Sequence, residues 1–152
     1  MIRMTNGNIF QANTQSIVNP VNCVGVMGKG LAAKFKEIYP DMFKAYKAKC
    51  DLNEIVPGKI FVWVIDTYDE LLYIFNLPTK DNWRHPSKMS YIKSGIKTLI
   101  DTMEEHDIHS IAIPALGCGL GGLQWDDVSK EIIMQFQHRA PDKEVWLYGP
   151  QT

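Results

Sequence analysis

Residues 111–123, IAIPALGCGLGGL, leave this chain few folds to choose from. A short apolar run, Ile111 to Ile113, reads as a buried strand. It breaks at Pro114 into a loop with four glycines, Gly117, Gly119, Gly121 and Gly122. Trp125, Asp126, Asp127 and Val128 then open a helix, for which Asp126 is the expected cap. A strand that feeds a glycine-rich loop and then a helix builds an anion cradle. Glycine lets backbone N–H groups approach a phosphate closely, and the helix N-terminus adds a favourable dipole. A plain strand-to-helix connection rarely needs so many glycines.

Around this stretch, strand and helix alternate. Strands are expected at Ile2 to Thr5, Ser16 to Pro20, Lys59 to Ile65, Leu71 to Leu77, Ile111 to Ile113 and Val145 to Tyr148. The third and fourth, joined by the polar turn Asp66 to Glu70, read as a hairpin. Helices are expected over Gly30 to Tyr39, with Leu31, Phe35 and Ile38 on its inner face, and over Asp41 to Lys49. A long helix starts at Ser87 or Ser90 and reaches Glu105, with Ile92, Ile96, Leu99, Ile100 and Met103 as its inner stripe. The last runs from Trp125 to His138. The pattern is α/β, a mixed sheet with helices on both faces. Four strands end in unusual loops: Asn19-Pro20-Val21-Asn22, Pro78-Thr79-Lys80, Pro114 to Gly122, and Gly149-Pro150. If these strands are parallel, all four loops meet at one crevice, where open α/β sheets bind ligands.

A second glycine loop, Val24-Gly25-Val26-Met27-Gly28-Lys29-Gly30, also leads into a helix. Two cradles on one sheet suit a diphosphate, or a phosphate beside a sugar. This loop is not a Walker A motif, because Gly30 follows Lys29 where Ser or Thr is required. Gly117, Gly119 and Gly122 satisfy GxGxxG. A dinucleotide fingerprint belongs early in a βαβ unit, however, and here only about 30 residues remain. Asn22, beside a glycine loop, offers an amide that can donate to and accept from ribose hydroxyls; the alternative is turn chemistry alone. Lys80 follows a strand at the presumed crevice. Trp83, Arg84, His85 and Lys88 interleave an aromatic with cations. Such a patch can stack a base and pair with phosphates of single-stranded nucleic acid, or else form a lid whose tryptophan packs on the body.

The net charge of −1 gives no global pull towards nucleic acid, so such contact has to be local. With 152 residues the chain is one domain with room for a single core. Cys23, Cys50 and Cys118 are odd in number and lack CxxC pairing, which fits reduced thiols in the cytoplasm. No histidine is placed to activate Cys118, which reads as a small buried side chain. His106 and His109 stand without clustered partners, so no metal site is expected. No apolar run approaches the roughly 20 residues that span a membrane.

Together, Gly7-Asn8-Ile9, Asn19-Pro20-Val21-Asn22, Gly28-Lys29-Gly30 and Gly117 to Gly122 resemble a macrodomain, the ADP-ribose-binding fold, across essentially the whole chain. The resemblance implies a single domain over residues 1–152, a three-layer α/β/α sandwich around a six-stranded mixed sheet. It implies that the first turn, with Asn8 and Ile9, holds adenine. Val26, Met27, Gly28, Lys29 and Gly30 in one loop would grip the diphosphate and distal ribose. Pro114, Leu116, Gly117, Cys118, Gly119, Leu120, Gly121, Gly122 and Leu123 would do so in the other, with Thr79 between them. No cofactor is implied.

Val24 to Gly30, Leu77-Pro78-Thr79-Lys80 and Trp83-Arg84-His85-Pro86 are most similar to the branch containing DarG and the eukaryotic terminal ADP-ribose glycohydrolase. DarG is the antitoxin of the DarT–DarG pair. DarT attaches ADP-ribose to thymidine in single-stranded DNA, and the DarG macrodomain removes it. The catalytic lysine of that branch falls on Lys80, with Asn22 positioning the distal ribose beside it. Trp83, Arg84, His85 and Lys88 would hold flanking DNA.

Two departures stand out. Asn8 replaces the aspartate that many macrodomains use to receive the adenine amino group. Gly121 stands where the eukaryotic enzyme has a catalytic aspartate, so its two-residue mechanism cannot be carried over whole. Lys80 could act neutral, as a nucleophile that opens the sugar through a Schiff base, or charged, stabilising the departing base. Rival readings are an ADP-ribose reader without turnover, and a hydrolase of protein-linked ADP-ribose or O-acetyl-ADP-ribose. The expected partners are ADP-ribose, ADP-ribosylated single-stranded DNA and a DarT-type toxin. The expected form is a monomer, and the chain reads as one domain of a longer antitoxin.

Overall fold

The computed structural model of the chain describes residues 1–150. Six strands form one sheet: β1 (Ile2–Thr5), β2 (Ser16–Val21), β3 (Phe61–Asp66), β4 (Leu71–Pro78), β5 (Ser110–Ile113) and β6 (Glu144–Tyr148). Four helices cover it: α1 (Gly30–Ile38), α2 (Pro40–Asp51), α3 (Met89–Glu105) and α4 (Trp125–Arg139). The strand order is β1-β6-β5-β2-β4-β3. All neighbours are parallel except β3 and β4, the antiparallel hairpin expected from the sequence.

Strand alternation divides the interior into two layers. Ile17, Ile74 and Ala112 turn to one face and pack with Phe35, Met42 and Tyr46 of α1 and α2. Val18, Phe75, Ile111 and Ile113 turn to the other and pack with Ile92, Ile96, Leu99, Val128, Ile132 and Phe136 of α3 and α4. The result is a three-layer α/β/α sandwich. The stripe read for α3 is fully inside, spaced at three and four residues as a helix buried on one face requires.

The chain runs from β2 into α1 and α2 on one face, and from β5 into α4 on the other. The boundary between β2 and β5 is therefore where the connections change sides. These strands pair only at Ser16 with Ile111 and Ile17 with Ala112, then part. Their carboxyl ends open a crevice at the switch point, the position where open parallel sheets bind ligands. Pro20 lies in this splayed half, where β2 pairs with β4 alone, so its missing N–H breaks no ladder with β5.

Some local expectations need correction. Ile38 is 49% exposed and leaves the inner face of α1 to Phe35 and the half-buried Leu31. The cap of α4 is Gln124, with no side-chain cap bond, and Asp126 lies inside the first turn, where its charge meets the helix dipole. The cap of α3 is Lys88, so Ser87 stays outside the helix and Ser90 lies within it. β3 begins at Phe61, because Pro57-Gly58 and a turn bond from Lys59 N–H to Val56 O occupy the residues before it.

Candidate active site

Three loops close around the crevice, tied to one another by backbone hydrogen bonds. Thr79 N–H donates to Val21 O at 2.9 Å and Cys23 N–H to Asp81 O at 3.0 Å, joining the loop after β2 to the loop after β4. Ser87 N–H donates to Gly121 O at 3.0 Å, joining the segment before α3 to the glycine loop after β5. Lys80 Nζ reaches Leu120 O at 3.5 Å. Lys80, the 23–30 loop and the 117–123 loop are therefore brought to one rim, as the parallel arrangement requires.

The loop after β2 is held by one side chain. Asn22 is buried, and its Oδ1 accepts from Val24 N–H at 3.1 Å and Val26 N–H at 3.3 Å, while its Nδ2 donates to Val26 O at 2.7 Å. The Tyr46 hydroxyl of α2 lies 2.7 Å from Asn22 O and 2.8 Å from its Oδ1. Asn22 is thus the strut of the loop, with one amide hydrogen left to donate. Tyr46 was not expected at the site. Its only sequence signal is that a buried tyrosine needs a partner for its hydroxyl. Burial raises the Tyr46 phenol well above its ordinary value, so it stays a neutral donor.

α1 begins at Gly30 with no side chain capping its first turn, so those N–H groups face the loop without a protein acceptor from a cap. In the other loop, Gly117 takes φ +72°, and a Cβ there would collide with Leu123 and approach Ser87. A Cβ on Gly121 would run into the Ser87 side chain and lie 3.8 Å from Lys80 Cε. At Gly117 the positive φ disfavours any other residue as well, whereas a side chain at Gly121 would have to displace that of Ser87.

The remaining candidates divide by what faces outward. Gly28, Lys29, Gly30, Gly119, Leu120 and Gly122 are exposed at the rim. Val26 is exposed as well, whereas the side chains of Ile9, Met27, Pro114 and Leu116 turn into the core and leave only backbone towards a ligand. Thr79 is buried and Leu123 half-buried. Asn8 caps the short turn Ile9–Gln11, its Oδ1 accepting from Phe10 N–H at 3.0 Å, so one of its two lone pairs is already used. Cys118 is half-buried, and burial raises its thiol.

Trp83, Arg84, His85 and Lys88 are all exposed, Trp83 at 49%. The Arg84 guanidinium covers its ring at 4.9 Å. His85 Nδ1 lies 3.0 Å from Asp81 Oδ1, which also accepts from Asn82 N–H. The His85 contact, helped by the Asn82 amide, holds the Asp81 carboxyl below the usual carboxylate range. A hollow of about 640 Å³ between α1 and α2, lined by Lys36, Pro40 and Phe43 among others, touches the crevice only at Met27 and Gly28. Among the described residues no cluster of His, Cys, Asp or Glu could hold a metal ion, and no helix is long and apolar enough to cross a membrane.

Residues 18–132 match the Macro domain family. A Mycobacterium tuberculosis protein named DNA ADP-ribosyl glycohydrolase is 45% identical over 150 residues, covering 99% of this chain and 42% of the relative. The chain thus spans about two fifths of the length of the curated relatives it matches. Among solved structures, the macrodomain of Mycobacterium tuberculosis DarG superposes with a TM-score of 0.95 at 45% identity, with 99% of both chains covered. Thermosipho africanus DarTG in complex with ADP-ribose gives 0.89 at 30% identity, over 98% of this chain and 41% of that one.

Proposed function

The chain belongs to the macrodomain family, and on that premise we propose that it is a glycohydrolase that removes ADP-ribose from thymidine in single-stranded DNA, reversing a DarT-type modification. The names of its DarG relatives support the substrate. The observation that carries the catalytic part is Lys80, whose Nζ lies against the carbonyl of Leu120 at the centre of the rim joined by the three loops.

Each chemical requirement has a group to meet it. The uncapped start of α1 and the two glycine loops supply N–H groups for the diphosphate. Held there, the distal ribose is fixed against Lys80, and the free amide hydrogen of Asn22 faces a ribose hydroxyl. The leaving group is a thymine nitrogen flanked by two carbonyls, which departs readily as an anion. We assign Lys80 the charged role, as an ammonium donating to the departing base, while water adds to the anomeric carbon as its bond to nitrogen breaks and gives its proton to solvent. A nucleophilic amine needs a base to take its proton, and the carboxylate next in sequence, Asp81, is committed to His85 and Asn82 instead. Trp83, Arg84, His85 and Lys88 then meet the DNA strand on either side of the modified base.

The test is a comparison of substrates. We expect ADP-ribose release from single-stranded DNA carrying ADP-ribosylated thymidine, and none from glutamate-linked protein or O-acetyl-ADP-ribose. Release confined to the protein-linked substrate overturns the DNA assignment. Tight ADP-ribose binding without release from any of the three makes the domain a reader.

A further inference from the structure

Ser87 is buried, and its Oγ has no hydrogen-bond partner. It sits one residue before Lys88, the cap of α3, and that helix starts with no side-chain cap bond. A serine beside a helix start ordinarily turns its hydroxyl to the free N–H groups of the first turn. This one turns the other way, into the glycine loop. Ser87 Oγ and Lys80 Cε both lie within 4 Å of the point that a Cβ on residue 121 would occupy. Because residue 121 is glycine, no side chain stands between them. The Ser87 N–H bond to Gly121 O, at 3.0 Å, fixes this approach.

An unpaired buried hydroxyl destabilises the fold, and alanine would fill the same space without that penalty. Such a group makes sense where a partner arrives with the reaction. The Lys80 ammonium is the donor at hand, and its present acceptor, Leu120 O, is distant at 3.5 Å. Resting on the Lys80-centred reading above, we infer that Ser87 is a positioning residue for that lysine. When the ribose enters the crevice and displaces Nζ from Leu120, the Ser87 hydroxyl accepts a hydrogen bond from it and holds the ammonium against the bond being broken. Ser87 itself does not touch the substrate.

The experiment measures kcat and KM for ADP-ribose release from the modified oligonucleotide, together with ADP-ribose affinity and Tm, for the intact chain, Ser87→Ala and Ser87→Cys. A hydrogen bond to a charged group lost from the transition state lowers kcat about 10- to 100-fold. KM and ADP-ribose affinity stay unchanged, and the Tm of Ser87→Ala is equal to or above that of the intact chain. Ser87→Cys keeps the shape but accepts weakly, and it loses kcat in the same way. A Ser87→Ala or Ser87→Cys protein with full kcat overturns the inference. So does a kcat loss that comes with a lower Tm and weaker ADP-ribose binding, the mark of a purely structural role. An intact chain that releases nothing defeats the glycohydrolase reading as well, whereas full turnover in the variants defeats the Ser87 role alone.

Discussion

Tyr46 supports the loop after β2 from 24 residues away. Replacing it with Phe leaves the ring in the core but removes the hydroxyl from Asn22. Two buried oxygens then lose a partner, so we expect a loss of about 1–3 kcal/mol in chemical denaturation and weaker ADP-ribose binding by calorimetry. Unchanged binding would mean that the loop holds its shape without α2. The cysteines give a second test. Burial pushes the Cys23 thiol up to about 12 and raises those of Cys50 and Cys118 as well. Thiolate is the reactive form, so at pH 8 iodoacetamide should label the three cysteines far more slowly in the folded protein than after denaturation. Rapid labelling of Cys118 in the folded state would mean that its thiol is not raised by burial. The place of Lys80, two residues past the end of β4, was legible once the strands were taken as parallel, whereas the catalytic role proposed for it came only from the resemblance. The strut role of Asn22 was legible as the turn-chemistry alternative, since its bonds to Val24 and Val26 are local. The support from Tyr46 was not, because that hydroxyl is brought alongside only by the packing of α2. Ser87 read as a helix start for the same reason: only the fold shows its hydroxyl turned towards Gly121 instead of α3.

Elements were easier to read than their ends. Each strand and helix lies where its hydrophobic period placed it, because both faces of this sheet are buried and the helices show the sheet one apolar stripe each. The ends differ where caps are backbone affairs. α1, α3 and α4 all start without a side-chain cap bond, so no Ser, Asp or Asn marks their first residue. Gly95 in α3 illustrates packing overriding propensity. Alanine is the better helix former, yet its Cβ would meet Leu77 Cδ2 of β4 at 2.9 Å. We therefore expect Gly95→Ala to cost about 1–3 kcal/mol in denaturant melts, where an exposed helical glycine would gain. Because Leu77 lies three residues before Lys80, the same variant should also slow turnover. A more stable variant would show that α3 can move off the sheet.

For the molecule as a whole, the order of the parallel strands decides where the chemistry sits. Connections leave β2 and β5 towards opposite faces, so the loops from both, and the one from β4 beside them, meet at a single opening. Net charge is near neutral, so any hold on DNA has to be local, and the Trp83–Lys88 segment is the patch we propose for it. Replacing Arg84 and Lys88 together with Ala should weaken binding of a single-stranded oligonucleotide. It should also reduce the slope of log affinity against log salt by about 1.4, two phosphate contacts at the single-strand value. An unchanged slope would place the DNA elsewhere on the surface. Whether this crevice breaks the ribose–thymine bond with Lys80, as proposed, is decided by single-turnover release of ADP-ribose from single-stranded DNA carrying ADP-ribosylated thymidine, with the intact chain and with Lys80→Ala, alongside ADP-ribose affinity for both. We expect release by the intact chain and a loss of at least about a hundredfold in the variant, which still binds ADP-ribose. Release by Lys80→Ala at the full rate would take Lys80 out of the chemistry.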